Sequence, residues 1–196
     1  EDRGQAYLYL GGPSGLANSA VWTKSTSARL ATFGRSVASA GDVNEDGYAD
    51  ILVGSPGQRE AYLFYGGASG PSLAAGWTVS DPQVSAGFGS SVAGAGDVDG
   101  DGYVDVVVGA PGYENGEQGE GAAFLYLGSA SGLSTTPDWS TESNQANANM
   151  GSVASAGDVN GDGYSDIIVG AERYTNGESE EGRAWVYLGA AEGILD

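Results

Sequence analysis

The sequence predicts an all-β fold made of β-propeller blades, each of four antiparallel strands, with material for about three blades in one chain. Three observations predict it. A glycine- and aspartate-rich stretch that begins Gly41-Asp42-Val43 returns at Gly96-Asp97-Val98 and at Gly157-Asp158-Val159, at intervals of 55 and 61 residues. Short apolar runs of β-branched and aromatic residues are bounded by Gly, Pro, Asn and Asp, which is the pattern of strands. No segment carries a persuasive helical period. Four short strands recurring every ~40–60 residues mark propeller blades, small sheets that bury their faces against their neighbours.

The elements follow in order within each repeat. The first strand is expected at Phe33-Gly34 with Val37, at Phe88-Gly89 with Val92, and at Met150-Gly151 with Val153, where the copy is one residue shorter. The second follows the acidic stretch, at Ile51-Leu52-Val53, Val106-Val107-Val108 and Ile167-Ile168-Val169. The third is the run Ala6-Tyr7-Leu8-Tyr9-Leu10-Gly11, which returns as Ala61 to Gly66, Ala123 to Gly128 and Ala184 to Gly189. After the first three of these runs, a turn rich in Ser and Gly leads to a lone tryptophan, Trp22, Trp77 or Trp139, which marks the fourth strand. Apolar residues in unbroken succession suit strands covered on both faces. The chain therefore divides as a single array over 1–196, with the end of one blade in 1–32 and repeats at 33–87, 88–148 and 149–196. Ten residues separate Gly112 from Ala123 where the first repeat has only Gln58-Arg59-Glu60, and a similar insertion runs from Glu172 to Arg183. These two long, acidic loops are expected on one rim.

Composition removes whole chemistries. The 196 residues contain no Cys and no His, so thiolate or imidazole nucleophiles, zinc fingers, iron–sulfur clusters and disulfides are excluded. Seven basic against 26 acidic residues give a net charge of −19, and Lys24 is the only lysine. That balance argues against nucleic acid and anionic lipid, which need clustered cations. No window approaches eighteen consecutive apolar residues, so no membrane insertion is expected. Glu1-Asp2-Arg3-Gly4 is no signal peptide and lacks an initiator Met, as expected of a processed or excised piece. With 40 % hydrophobic residues the chain can still build a core.

The strongest chemical signal is Asp-x-Asp/Asn-x-Asp-Gly-x-x-Asp, present three times. A hard divalent cation takes about six to eight oxygens, and carboxylates at alternate positions of a tight loop converge on one point. Asp42, Asn44, Asp46 and Asp50, with the Tyr48 carbonyl, form the first candidate set. Asp97, Asp99, Asp101 and Asp105, with the Tyr103 carbonyl, form the second, and Asp158, Asn160, Asp162 and Asp166, with the Tyr164 carbonyl, the third. Gly47, Gly102 and Gly163 take the sharp-turn position. The frame is that of an EF-hand through its ninth position, but Val53, Val108 and Val169 replace the closing Glu and a strand follows. Three Ca²⁺ sites of structural role are expected, with Mn²⁺ as the open alternative ion. Ten of the 26 acids are candidate ligands in these loops, where like charges repel one another unless a cation intervenes. Glu114, Glu117, Glu120, Glu178, Glu180 and Glu181 are flanked by Gly, Asn and Ser, and read as a solvated acidic rim rather than a catalytic cluster.

Phe33-Gly34, Gly41 to Gly47 and Val53-Gly54-Ser55-Pro56, with Phe88-Gly89, Asp97 to Gly102 and Val108-Gly109-Ala110-Pro111, resemble the FG-GAP repeats of the integrin α-subunit β-propeller. Gly170-Ala171-Glu172 departs from that pattern by lacking the proline, and Ser55 replaces an alanine; neither is a candidate ligand. The resemblance implies calcium loops between the first two strands of each blade, on the face away from the usual ligand surface. It also implies a ring of about seven blades, so the chain is a partial ring or one completed by oligomerisation, a second copy giving roughly six. The partners expected are the remaining blades or a second copy, and an unknown protein or glycan.

The function this supports is a non-catalytic, calcium-binding scaffold for adhesion or for protein or glycan binding, extracellular or on a cell surface. The alternative is a calcium-stabilised lectin with Trp22, Trp77, Trp139 and Trp185 as sugar platforms, although one Trp per repeat at a fixed place suits blade packing better. A propeller domain of a polysaccharide-degrading enzyme ranks last, since carboxylates alone can perform glycosidase chemistry.

Overall fold

The computed structural model describes residues 4–195; the outermost residues of the first and last repeat intervals, 1–3 and 196, lie outside the described residues. The first interval supplies β1 (Gln5–Leu8), the short hairpin β2 (Gly11–Gly12) and β3 (Gly15–Leu16), and β4 (Trp22–Ser25). The next forms β5 (Ser36–Gly41), β6 (Asp50–Ser55), β7 (Glu60–Phe64) and β8 (Trp77–Ser80). Then come β9 (Ser91–Gly96), β10 (Asp105–Ala110), β11 (Ala122–Tyr126) and β12 (Trp139–Glu142). The last interval holds β13 (Met150–Gly157), β14 (Asp166–Ala171), β15 (Arg183–Tyr187) and the hairpin of β16 (Gly189–Ala190) and β17 (Gly193–Ile194).

Strands β5 to β8 and β9 to β12 form two complete four-stranded antiparallel blades in sequence order. A third sheet contains β13, β14 and β15, and β1 pairs with β4. The all-β propeller-blade fold is therefore observed as two whole blades, three strands of another and two strands of a fourth. Phe33 and Phe88 precede their strands instead of beginning them, and both are core residues, 4 % and 1 % exposed; Met150 opens β13 and is fully buried.

Burial explains the apolar runs. All six residues of β10 are buried, because the core on one side includes Val106 and Val108 and that on the other includes Val107. The first core joins the two complete blades through Leu52, Leu63, Trp77, Phe88 and Phe124, and the second joins β9–β12 to β13–β15 through Leu125, Met150, Ile167 and Val169. Each such aliphatic or aromatic side chain contributes roughly 1.5–3 kcal/mol on burial. Ser36 Oγ donates to the carbonyl of Gly89, just ahead of β9, at 2.8 Å, and Ser155 Oγ to the Ala95 carbonyl within β9 at 3.1 Å, so the first strand of one blade also bonds directly to its neighbour. Close approach demands glycine at the end of the second strand. A Cβ on Gly109 would stand 1.9 Å from the Gly151 carbonyl oxygen, whereas at Gly170 the nearest atom is Ser152 Cβ at 3.5 Å.

Antiparallel order fixes where function can sit. Every connection from first to second strand emerges at one end of a blade, and every connection from second to third strand at the other. The acidic aspartate loops occupy the first end, and the long loops 111–121 and 172–182 the second.

Candidate metal centres

Each aspartate loop begins at a glycine with positive φ, +82° at Gly41, +83° at Gly96 and +69° at Gly157, and ends at an aspartate that heads the second strand. Gly41 faces Asp50, Gly96 faces Asp105 and Gly157 faces Asp166 across the ladder, with a register shift beside each pair. The two ends of the loop are thereby held together. The sharp-turn glycines Gly47, Gly102 and Gly163 take φ of +89°, +98° and +97°. A left-handed residue at this point turns the chain back on itself so that successive N–H groups face inward.

Those N–H groups orient the first aspartate. Asp97 accepts from Gly100 N–H at 2.7 Å and Gly102 N–H at 3.0 Å. Asp42 accepts from Asp46 N–H at 3.0 Å and Gly47 N–H at 2.7 Å. Asp158 accepts from Gly161, Asp162 and Gly163 N–H groups at 2.7, 3.1 and 2.9 Å. These bonds, that from Gly163 foremost, hold the Asp158 carboxyl below the usual range. The third position behaves alike in all loops: Asn44, Asp99 and Asn160 accept through Oδ1 from the N–H two residues on. The side-chain amides of Asn44 and Asn160 also donate to Asp46 and Asp162. Asp46, Asp101 and Asp162 accept the N–H of Tyr48, Tyr103 and Tyr164.

The last aspartate is different in kind. Asp50, Asp105 and Asp166 are fully buried. Asp105 accepts Val98 N–H at 2.6 Å from its own loop and Gly128 N–H at 2.7 Å from the end of the third strand. Asp50 does the same with Val43 and Gly66, at 2.9 and 2.7 Å, and Asp166 with Val159 and Gly189, at 2.7 and 2.9 Å. Burial pushes the Asp105 carboxyl up to about 7 against the pull of the Gly128 and Val98 N–H groups, and the charges of Asp99 and Asp97 add to the rise. Burial likewise raises Asp50 and Asp99. Asp97, Asp99 and Asp105 each bring an oxygen within 4.8 Å of the others, the one such acidic cluster among the described residues. The donor set is all hard oxygen, which fits a divalent cation of the calcium class.

Sequence reasoning missed the clamp between the last aspartate and the third strand. Its signal was present: the run Tyr-Leu-Tyr ends each time in glycine. A Cβ on Gly128 would lie 2.6 Å from the Val104 carbonyl oxygen, and one on Gly66 2.4 Å from that of Ala49. Reading all six glutamates of the two long loops as a solvated rim also needs correction at one residue. Glu120 is fully buried, because Ser143 Oγ and Met150 N–H, from the chain leading into the next blade, both bond its carbonyl and cover it. Glu114, Glu117, Glu178, Glu180 and Glu181 are exposed, and Arg173 pairs with Glu180. The tryptophans pack between neighbouring blades: Trp22 and Trp77 are 4 % and 5 % exposed, with rings against Phe64 and Tyr126 and indole N–H groups on the carbonyls of Ser72 and Ser134.

Comparison with known proteins agrees with this geometry. The FG-GAP repeat model matches residues 33–76, 88–126 and 150–187. Integrin alpha-IIb of Mus musculus is 37 % identical over 155 residues, covering 71 % of this chain and 15 % of that protein. Integrin alpha-V of Gallus gallus is 36 % identical over 160 residues, covering 72 % of this chain and 15 % of that protein. Phosphatidylinositol-glycan-specific phospholipase D of Bos taurus is 34 % identical over 158 residues, covering 72 % and 19 %. The chain thus spans a small part of the length of these relatives. Three matched repeats, laid on blades whose first two strands are joined by the aspartate loops, place the chain in the FG-GAP repeat family of integrin-like β-propellers.

Proposed function

We propose that the chain is a non-catalytic, calcium-stabilised propeller array that presents a binding surface to a protein or glycan outside the cell. The observation that carries the calcium reading is the convergence of Asp97, Asp99 and Asp105 in a loop whose backbone N–H groups already orient the carboxylates. Asp42, Asn44, Asp46, Asp50 and the Tyr48 carbonyl, and Asp158, Asn160, Asp162, Asp166 and the Tyr164 carbonyl, serve the two equivalent ions. Tyr103 and Asp101 complete the middle site. The integrin relatives favour an adhesive role and an extracellular or cell-surface location. The phospholipase D relative shares the same repeats, so the array also suits a domain attached to an enzyme. Burial of Trp22 and Trp77 removes two of the four candidate sugar platforms and weakens the lectin alternative.

The outer edge of β15 and the inner edge of β1 pair with no strand among the described residues, and we propose that further blades, from a longer chain or a second copy, cover them. Unpaired strand edges invite such association. Calcium titration by calorimetry, with melting curves in calcium and in chelator, tests the central reading. Calcium is expected to bind in the micromolar to millimolar range and to raise the melting temperature; melting curves that superimpose would reject it.

A further inference from the structure

The loop between β10 and β11 lies at the opposite end of the blade from Asp105. Glu120 is fully buried there. Its Oε1 accepts the Asn115 N–H at 2.5 Å and the Glu117 N–H at 3.4 Å, and its Oε2 is buried with no hydrogen-bond partner. Glu142 stands opposite Ala122 across β11 and β12. Its Oε1 accepts the Asn115 side-chain amide at 3.0 Å, and its Oε2 is again buried without a partner. One asparagine thus ties two carboxylates together, each with one oxygen satisfied and one left over. A cavity of about 70 Å³ lies against Glu142 and the Asn115 that joins the pair, lined also by Tyr113, Ser140 and Thr141.

No basic group answers these charges: among the described residues the one ion pair is Arg173 with Glu180. Burial raises the Tyr113 phenol, and the charges of Asp81, Glu142 and Glu120 raise it further. Each carboxylate therefore keeps one buried oxygen that no polar neighbour satisfies.

We propose that Glu120 and Glu142 hold a hydrated, hard divalent cation through their two unpartnered oxygens, at a site separate from the aspartate loops. One or two carboxylates with water filling the remaining positions is the usual arrangement for a small hard cation. The cavity has room for roughly two waters at ~30 Å³ each beside the ion. The inserted loop acquires a purpose on this reading: the cation fastens it to β12, and the chain 143–150 that covers Glu120 seals the site. The equivalent loop of the next repeat makes the contrast. Glu181 takes the place of Glu120 and accepts the Glu178 N–H at 3.2 Å, but it is exposed, so its carboxylate is open to solvent.

The site does not depend on the calcium loops, and Mn²⁺ alone serves as the probe. Crystals of the chain soaked in Mn²⁺ should give an anomalous peak about 2.0–2.6 Å from Oε2 of both Glu120 and Glu142. In solution, Glu142→Gln keeps an acceptor for Asn115 and should bind one Mn²⁺ fewer per chain, as should Glu120→Gln, whereas Glu181→Gln should leave the count unchanged. If Glu120→Gln fails to fold, Glu142→Gln alone decides. A water or no density at the cavity, or an unchanged count in Glu142→Gln, overturns the proposal. So does a Glu142→Gln variant that melts higher than the parent with the same count, because that result means a shared proton holds the pair.

Discussion

Asp99 and Asp105 belong to one candidate site but are placed to fail in different ways, and a pair of truncations separates fold from metal. Asp105→Ala strips the partner from two N–H groups, those of Val98 and Gly128, at a fully buried position. A buried donor left unsatisfied costs about 1–3 kcal/mol, so this variant should lose roughly 2–6 kcal/mol whether or not calcium is present. Asp99→Ala removes an acceptor for a single exposed N–H, that of Asp101, and should cost little in chelator. In calcium it should cost what the ion supplied: about 1.4 kcal/mol at a dissociation constant near 10⁻⁴ M and roughly millimolar calcium. For a chain of this size that is a fall of ~3–6 °C in melting temperature. The assay is thermal or urea unfolding of both variants and the parent, in excess chelator and in calcium. If Asp99→Ala costs the same in both media, the loop carboxylates do not act through a cation.

Gly109→Ala should destabilise by about 3 kcal/mol, because its Cβ meets the Gly151 backbone at 1.9 Å, while Gly170→Ala should be close to neutral in the same melting assay. Gly128→Ala should weaken calcium binding at the middle loop, measured by titration calorimetry, since its Cβ would stand 2.6 Å from the Val104 carbonyl and displace the N–H that holds Asp105. The pH dependence in chelator should run opposite to that of an ordinary carboxylate. The folded-state value of Asp105 is about 7, above its unfolded value near 3.8, so the folded chain binds the extra proton between them. That contribution is fully present below the unfolded value and is lost as pH rises through about 7, so melting temperatures in chelator should fall from pH ~5 to pH ~8. Saturating calcium should flatten or reverse the slope, which melting curves across that range will show.

Most of the fold was legible because the repeat exposes it. Aligning Asp42, Asp97 and Asp158 puts the β-branched runs, the Tyr-Leu-Tyr runs and the tryptophans in register, and each became a strand of the expected rank. Local spacing likewise sufficed to single out the candidate loop residues, since carboxylates at alternate positions of one tight turn are a property of nine consecutive residues. What spacing does not carry is contact between segments distant in sequence. Asp105 and Gly128 are 23 residues apart, and their bond appears only when the third strand returns beside the loop. Glu120 stands in a stretch much like that around Glu181, each followed by Gly and close after Asn-Gly-Glu, and the packing of residues 143–150 against one of them decides which is buried.

The buried aspartate also explains how a surface loop can matter to a whole blade. Among the described residues the carboxylates of Asp42, Asp97 and Asp158 accept only from N–H groups of their own turns, so a cation held by these carboxylates alone would act mainly on the loop. Asp50, Asp105 and Asp166 each grip the loop with one oxygen and the end of the third strand with the other. A cation drawing on that same carboxylate offsets the cost of keeping it ionised in the interior, and so strengthens the acceptor for both N–H groups together. Loop, second strand and third strand then gain stability as a unit. Since adjacent blades share the cores that contain Val106, Val107 and Val108, an ion bound at one end of β10 would bear on the packing of both neighbours.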